Sequence, residues 1–317
     1  HLVEKLVAAG DDVRAFVLYN SFGSAGWLDT IDHSILDHVE IFPGDIRDRG
    51  RVATAVCGCN RVLHLAALIS IPYSYVAPQS FVETNVTGTL NVLEAARNAG
   101  VEKIVVTSTS EVYGTAQAVP IAESHRLNAQ SPYAATKTAA DQLAVSYFRT
   151  FELPVTVVRP FNTYGPRQSM RAILPTIITQ LIAGQSRIKL GATHPTRDFS
   201  FVFDTVSGMI AASDPTIALG ETVNLGSNFE ISIADVVVMI GDIMSIEPQI
   251  EISSERLRPT ESEVERLWAD NSKAHDVLGW SPDYGKREGL RRGLERTINW
   301  YLEPQNLDYF QADRYSI

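Results

Sequence analysis

The chain has 317 residues, 45% of them hydrophobic, which is enough apolar material for one large core or two unequal ones. Its 27 Lys and Arg stand against 37 Asp and Glu, a net charge of -10, so its surface repels nucleic acid and anionic lipid, and neither is an expected partner. No apolar run approaches the ~18 residues of a membrane span. The two cysteines, Cys57 and Cys59, are too close for an ordinary disulfide and lack the second pair of a zinc site, which points to a reducing, cytoplasmic setting without a metal.

The first residues, HLVEKLVAAGDDV, carry Glu4 and Lys5 in an amphipathic pattern unlike a signal peptide and read as the helix that follows the first strand of a dinucleotide fold. No strand or Gly-rich turn precedes it and no G-x-G-x-x-G occurs elsewhere, so roughly 10 to 15 residues with the pyrophosphate loop are expected to be missing. Gly23 and Gly26 read as loop residues.

Short apolar runs follow at Val13–Leu18, Val39–Phe42, Arg61–Leu65, Lys103–Thr107 and Val155–Val158, separated by stretches with helical spacing. Val82, Val86, Leu90 and Leu93 make one helical stripe. Ala140, Leu143, Ala144, Tyr147, Phe148 and Phe151 make another, after Tyr133. Alternating units of this kind require an α/β fold with a doubly wound parallel sheet, helices on both faces. From about Phe161 prolines and arginines break the rhythm. The division expected is a dinucleotide-binding domain over 1–165, joined again by 199–226, and a smaller domain over 166–317.

Tyr133 and Lys137 in SPYAATK lie four apart near a helix start, hence on one face, where an ammonium can favour the phenolate of a phenol whose pKa is ordinarily near 10. The bland alternative is a solvated helical face. The strand Lys103–Thr107 ends in STSEVYG, which puts Thr109, Ser110 and Glu111 at the carboxyl edge of the sheet, where doubly wound folds bind ligands. As plain structure, these would be a turn, a cap and a surface charge. LHLAA (Leu63–Ala67), TNVTGT (Thr84–Thr89) and RPFNTYGPRQ (Arg159–Gln168) border other predicted strands or open helices. Phenol, ammonium, hydroxyl and carboxylate at one sheet edge suit oxidation of an alcohol followed by proton abstraction. His64 sits in an apolar strand and reads as core packing; Trp268, Trp280 and Trp300 read as packing of the second domain.

These motifs together resemble the extended short-chain dehydrogenase/reductase family, with its Rossmann-like fold, and within it the nucleotide-sugar 4,6-dehydratases, from His1 to about Tyr301. AALISIPYSY, TSTSEVYGTAQ, RPFNTYGPRQS, PTRDFSFVFDTVSG and LRPTESEVERLWADNSKA are most similar to the NAD-dependent 4,6-dehydratases of legionaminic acid biosynthesis. The resemblance implies that Tyr133 deprotonates a sugar 4-hydroxyl, Lys137 holds the ribose and tunes Tyr133, Thr109 bonds the same sugar oxygen, and Glu111 removes the C5 proton as water leaves C6. Ser110 stands where dehydratases of thymidine-linked glucose carry an aspartate, so the acid for the departing hydroxyl stays open, with Glu111 a candidate. For the cofactor it implies Asp45, Ile46, Leu65, Ala66, Ala67, Asn85, Thr107, Pro160 and Phe161, together with Tyr133 and Lys137; for the substrate it implies Asn162, Arg167, Arg197 and Arg258.

NAD is expected because the acceptor is regenerated, with NADP open, and a homodimer through the helices bearing Val82 and Tyr133. The expected substrate is UDP- or GDP-N-acetylglucosamine. Rival readings are a UDP-glucuronate decarboxylase, a 4-epimerase and a non-catalytic NAD-binding regulator. A decarboxylase needs a cation for the substrate carboxylate, and Ser110 to Tyr133 supplies only His125 and Arg126.

Overall fold

A computed structural model describes residues 1–185 and 187–307, so the end of the second expected domain, 308–317, lies outside the described residues. Helix α1 (Leu2–Ala8) leads into strand β1 (Val13–Leu18), which pairs in parallel with β2 (Val39–Gly44). Between them Gly23 and Gly26 lie in the left-handed region with open space around them, as loop residues do. Helix α2 (Arg49–Val56) starts at Asp48, whose side chain accepts the Arg51 backbone N–H. Strand β3 (Arg61–His64) follows, then a π-helical turn, Val82–Thr87, that runs straight into α3 (Gly88–Ala99). A Cβ on Gly88 would come within 2.8 Å of the Ile46 side chain, so glycine lets this helix settle on the segment after β2.

Strand β4 (Lys103–Thr107) is buried nearly throughout, and helix α4 (Pro132–Phe151) follows it. Ser131 caps α4 by accepting the Ala134 N–H, Pro132 stands where no intrahelical donor is needed, and Glu152 ends the helix in the left-handed region at φ 56°. Strand β5 (Val155–Pro160) then pairs with β4 in the register Val106↔Val157. Each fully buried valine or isoleucine of these two strands contributes on the order of 1.5–3 kcal/mol relative to exposure.

Beyond β5 come β6 (Asn162–Tyr164), α5 (Ile173–Ile182), β7 (Arg187–Leu190), β8 (Thr196–Phe201) and α6 (Val202–Ala212). Then follow β9 (Thr222–Leu225), β10 (Glu230–Ser232), α7 (Ile233–Met244), β11 (Gln249–Ile252), α8 (Ser272–Leu278) and α9 (Lys286–Leu302). Strand β9 returns to the first sheet, in the parallel order β3-β4-β5-β9, whereas Phe199–Phe201 belongs to β8 at the centre of a separate sheet, β10-β8-β6. Helices cover both faces of the parallel sheet. Val92, Leu93, Ala144 and Tyr147 pack one side; Met209, Ala212, Ala274 and Leu278 pack the other. Trp280 belongs to that second face and not to the smaller domain's core, so it serves the first sheet. The smaller domain has its own core, from α5, α7 and α9 around Phe199 and Phe201.

The parallel strands of the described residues fall into two sheets with helices against them, in keeping with the expected α/β fold. β1–β2 forms a two-stranded sheet of its own, and residues of β1, β3 and His64 to Ala67 line a cavity of about 1290 Å³ between the two sheets.

Candidate active site

The carboxyl ends of β4 and β5 and the amino end of α4 converge. Thr109 follows β4 in extended conformation and caps a 3-10 turn, Ser110–Tyr113, its hydroxyl accepting the Glu111 N–H at 3.2 Å. Ser110 and Glu111 are buried there. Gly114 closes the turn at φ 64°, where a Cβ would stand 2.2 Å from the Asn128 carbonyl oxygen, so no other residue fits this bend.

Tyr133, one residue into α4, is buried with its ring edge-on to Phe81, and the nearby Thr109 hydroxyl favours its phenolate. Burial pushes the phenol above its ordinary range and the Glu111 charge adds to this, so the lowering expected from Lys137 is not realised in this state. The Lys137 ammonium donates to the Thr107 carbonyl at 2.6 Å, and burial lowers its pKa to about 8 against the pull of Asp141. Tyr133 also sits at the positive end of a 20-residue helix, a place that favours an anion. His64 is buried as expected. Thr89 donates its hydroxyl to the Asn85 carbonyl at 2.6 Å and so can only accept from His64 Nε2, 2.9 Å away; burial holds the imidazole neutral, with a pKa near 3.

Of the other expected cofactor residues, Leu65, Ala66, Ala67 and Ile46 line the cavity between the sheets. Asp45 instead lines a separate surface hollow with Arg47, Asp48, Glu83 and Thr87, and holds Arg47 through Oδ2 at 2.6 Å, which keeps its carboxyl below the usual range. Asn85 spends its amide inside the protein. It accepts from the Leu68 N–H at 2.8 Å and donates to the Leu68 carbonyl at 2.9 Å and the Thr136 hydroxyl at 3.1 Å, so it shapes the loop after β3. Pro160 ends β5, and Phe161 packs against Tyr113. Thr107 Oγ1 and Asn162 Oδ1 are buried at the strand ends without a hydrogen-bond partner among the described residues. Polar atoms so placed suit a polar ligand reaching in along the sheet edge.

Across the cleft, Arg197 on β8 is 6% exposed, donates to Glu263 at 3.0 Å and lies within the electrostatic reach of Glu111. Arg258 donates to the same Glu263 oxygen at 3.4 Å. Arg167 is elsewhere: at φ 66° it turns to Glu4 of α1, with bonds of 2.7 and 3.1 Å. His125 is half-buried edge-on to Tyr113, while Arg126 is exposed. Sequence reasoning missed Glu263, 66 positions from Arg197, for which no local signal exists. It also missed Asp141, whose spacing of four from Lys137 was in plain sight. Among the described residues no group of three or more His, Cys, Asp or Glu side chains could hold a metal ion, and no helix is long and apolar enough to cross a membrane.

The chain is similar to known proteins over nearly all its length. A UDP-glucose 4-epimerase of Mycolicibacterium smegmatis is 33% identical over 299 residues, covering 93% of each chain. A dTDP-glucose 4,6-dehydratase of Streptomyces antibioticus is 30% identical over 303 residues, 96% of this chain and 88% of that one. The crystal structure of a dTDP-glucose 4,6-dehydratase double mutant from Streptomyces venezuelae with NAD bound superposes with a TM-score of 0.81 at 27% identity, covering 97% of this chain and 94% of that one. The family described as GDP-mannose 4,6 dehydratase matches residues 1–293, and with the buried Tyr133–Lys137 pair at the sheet edge this chain belongs to that family, as an enzyme among the nucleotide-sugar dehydratases and epimerases.

Proposed function

We infer that the protein catalyses NAD-dependent 4,6-dehydration of a nucleotide-activated sugar, UDP- or GDP-N-acetylglucosamine, to a 4-keto-6-deoxy product, the reaction type of legionaminic acid biosynthesis. The observation that carries this reading is an acid beside the oxidising pair: Glu111 is buried two residues after Thr109, and its charge is felt by Tyr133. Leu65, Ala66, Ala67 and Thr107 would hold NAD, which when bound would supply a hydride acceptor at C4 and a donor at C6. Tyr133 takes the proton of the 4-hydroxyl as phenolate, helped by the helix end and by the Lys137 ammonium, while Thr109 bonds the same oxygen. Glu111 removes the C5 proton, made acidic by the 4-ketone, and passes it to the departing 6-hydroxyl so that water leaves; when the hydride returns to C6, C5 takes a proton that derives from solvent. Arg197 and Arg258 receive the diphosphate, for which their planar forks are suited. Exposed Val82 and Leu90 support a homodimer through that helix, and the reducing setting read from Cys57 and Cys59 supports a cytoplasmic enzyme.

A second reading, decarboxylation of a nucleotide-linked uronate, is favoured by one observation. Arg197, within reach of Glu111, is the cation that a substrate carboxylate requires and that the Ser110–Tyr133 segment lacks. Proton NMR of the products from a panel of nucleotide sugars decides between them. A new methyl signal is expected, a doublet when the reaction runs in H2O and a singlet in D2O because C5 then carries solvent deuterium; a pentose pattern establishes the decarboxylase, and an inverted C4 centre alone establishes an epimerase. In Glu111→Gln, C4 oxidation is expected to persist while water loss falls by roughly a hundredfold or more. Intact dehydration in that variant removes Glu111 from the mechanism.

A further inference from the structure

Tyr133, Lys137 and Asp141 recur every four residues and so share one face of α4. Asp141 is fully buried, and its Oδ2 accepts from Arg159 Nε on β5 at 3.0 Å. The other arm of Arg159 donates to the Tyr113 hydroxyl at 2.9 Å, with the guanidinium 4.9 Å from the centre of that ring. Tyr113 in turn donates to Asn224 on β9 at 2.7 Å, and Asn224 donates to the Ile121 carbonyl at 2.9 Å. Since Tyr113 is two residues past Glu111 in the same 3-10 turn, this chain of bonds joins the helix that bears Tyr133 and Lys137 to the turn that bears Glu111.

We propose that Asp141 and Arg159 are the positioning pair of this site, Asp141 keeping Lys137 in its ammonium form and Arg159 fixing, through Tyr113, where Glu111 stands. The inference rests on the dehydratase reading for what the two segments do. An ion pair with 0% and 4% exposed partners is costly to desolvate and is a poor device for stability alone, since an apolar pair of similar volume often serves a fold as well or better. The groups facing Lys137 are Tyr133 and Asp141 on its own helix and His64 on β3, held neutral; Arg159 on β5 faces Asp141. Asp141 is therefore the countercharge within reach, and it opposes the burial that draws the ammonium toward its neutral form.

The test uses the full chain and three readouts. In Asp141→Asn, the side-chain titration of Lys137, followed by NMR on 13C-lysine protein and assigned with Lys137→Arg, is expected to move down by about one pH unit. The matching limb of the pH profile for C4 oxidation should move with it, and KM for the nucleotide sugar should change less than threefold. Tyr113→Phe keeps the ring but loses both hydroxyl bonds. It is expected to slow water loss roughly tenfold while leaving oxidation within twofold. Should Asp141→Asn fail to fold, the double variant Asp141→Leu/Arg159→Met, which removes both charges, is read in its place and must show the same titration shift. An unmoved Lys137 titration with unchanged partition between oxidation and water loss, even at a lowered melting temperature, overturns the proposal. A wild type that turns over none of the nucleotide sugars overturns the dehydratase reading instead, and the lysine titration still judges the pair.

Discussion

The two walls of the cleft treat charge in opposite ways. On the α4 wall, Lys137 spends its ammonium on a backbone carbonyl and has Asp141 at a distance, so burial dominates and lowers its pKa to about 8. On the β8 wall, Arg197 and Arg258 converge on a single oxygen of Glu263, so one carboxylate answers two guanidinium charges and a net positive charge remains. The first arrangement leaves a group able to change protonation near neutral pH; the second leaves cations that stay charged and are held in place. Chemistry and substrate capture thus call for different surroundings in one cleft.

The sharpest way to break this contrast is Tyr133→Phe, which deletes the proposed proton acceptor and leaves the opposite wall untouched. Turnover is expected to fall by roughly a thousandfold or more, with binding of the nucleotide portion unchanged by calorimetry. Next in size is Gly114→Ala. A methyl group there meets the Asn128 carbonyl oxygen at 2.2 Å in a left-handed bend, so a loss of about 3 kcal/mol of stability is expected in urea unfolding, with the Glu111 turn displaced. Arg197→Gln probes the other wall. KM for the nucleotide sugar should rise about 10- to 100-fold and kcat should change little; an equal fall in kcat would show that Arg197 acts on the reacting carbons as well.

Much of the α4 wall was legible in the sequence. The apolar run of β4, the stripe of α4 and the Tyr133–Lys137 spacing are local signals, and the local periods match the structure. The β8 wall was not. Its strands β6 and β10 have three residues each, too short to display an alternation, and its charges pair across long separations, as Arg197 does with Glu263. Arg167 shows the same limit: its motif sits beside Asn162, yet its partner is Glu4 in the first helix.

A smaller effect separates the two halves by pH. His64 has a pKa near 3 in the fold against about 6.5 ordinarily, so the unfolded chain binds more protons between those values and stability is lost as pH falls through that window. Buried Asp198, which accepts from the backbone N–H groups of Ser227 and Ala269, has its pKa raised to about 6 from 3.8. It binds more protons when folded and gains stability as pH falls from 6 toward 3.8. In His64→Gln the acid loss of stability between pH 6 and pH 4 should shrink, by at most about 1.4 kcal/mol per pH unit, as read from urea midpoints. An unchanged slope would place the acid sensitivity outside the first half.

The unequal burial of β1–β2 and β4–β5 has a consequence in time as well as in space. The residues of β1 and β2 are mostly half-buried or exposed, in contrast to β4 and β5, which are buried almost end to end. The amides of β1 and β2 are therefore expected to exchange with solvent through local opening, at a free energy well below that of global unfolding, while those of β4 and β5 exchange only when the whole molecule opens. The segment that carries Asp45 then breathes on a faster clock than the floor that carries Thr109 and Lys137. A ligand that touches both would slow the exchange of the first and leave that of the second unchanged.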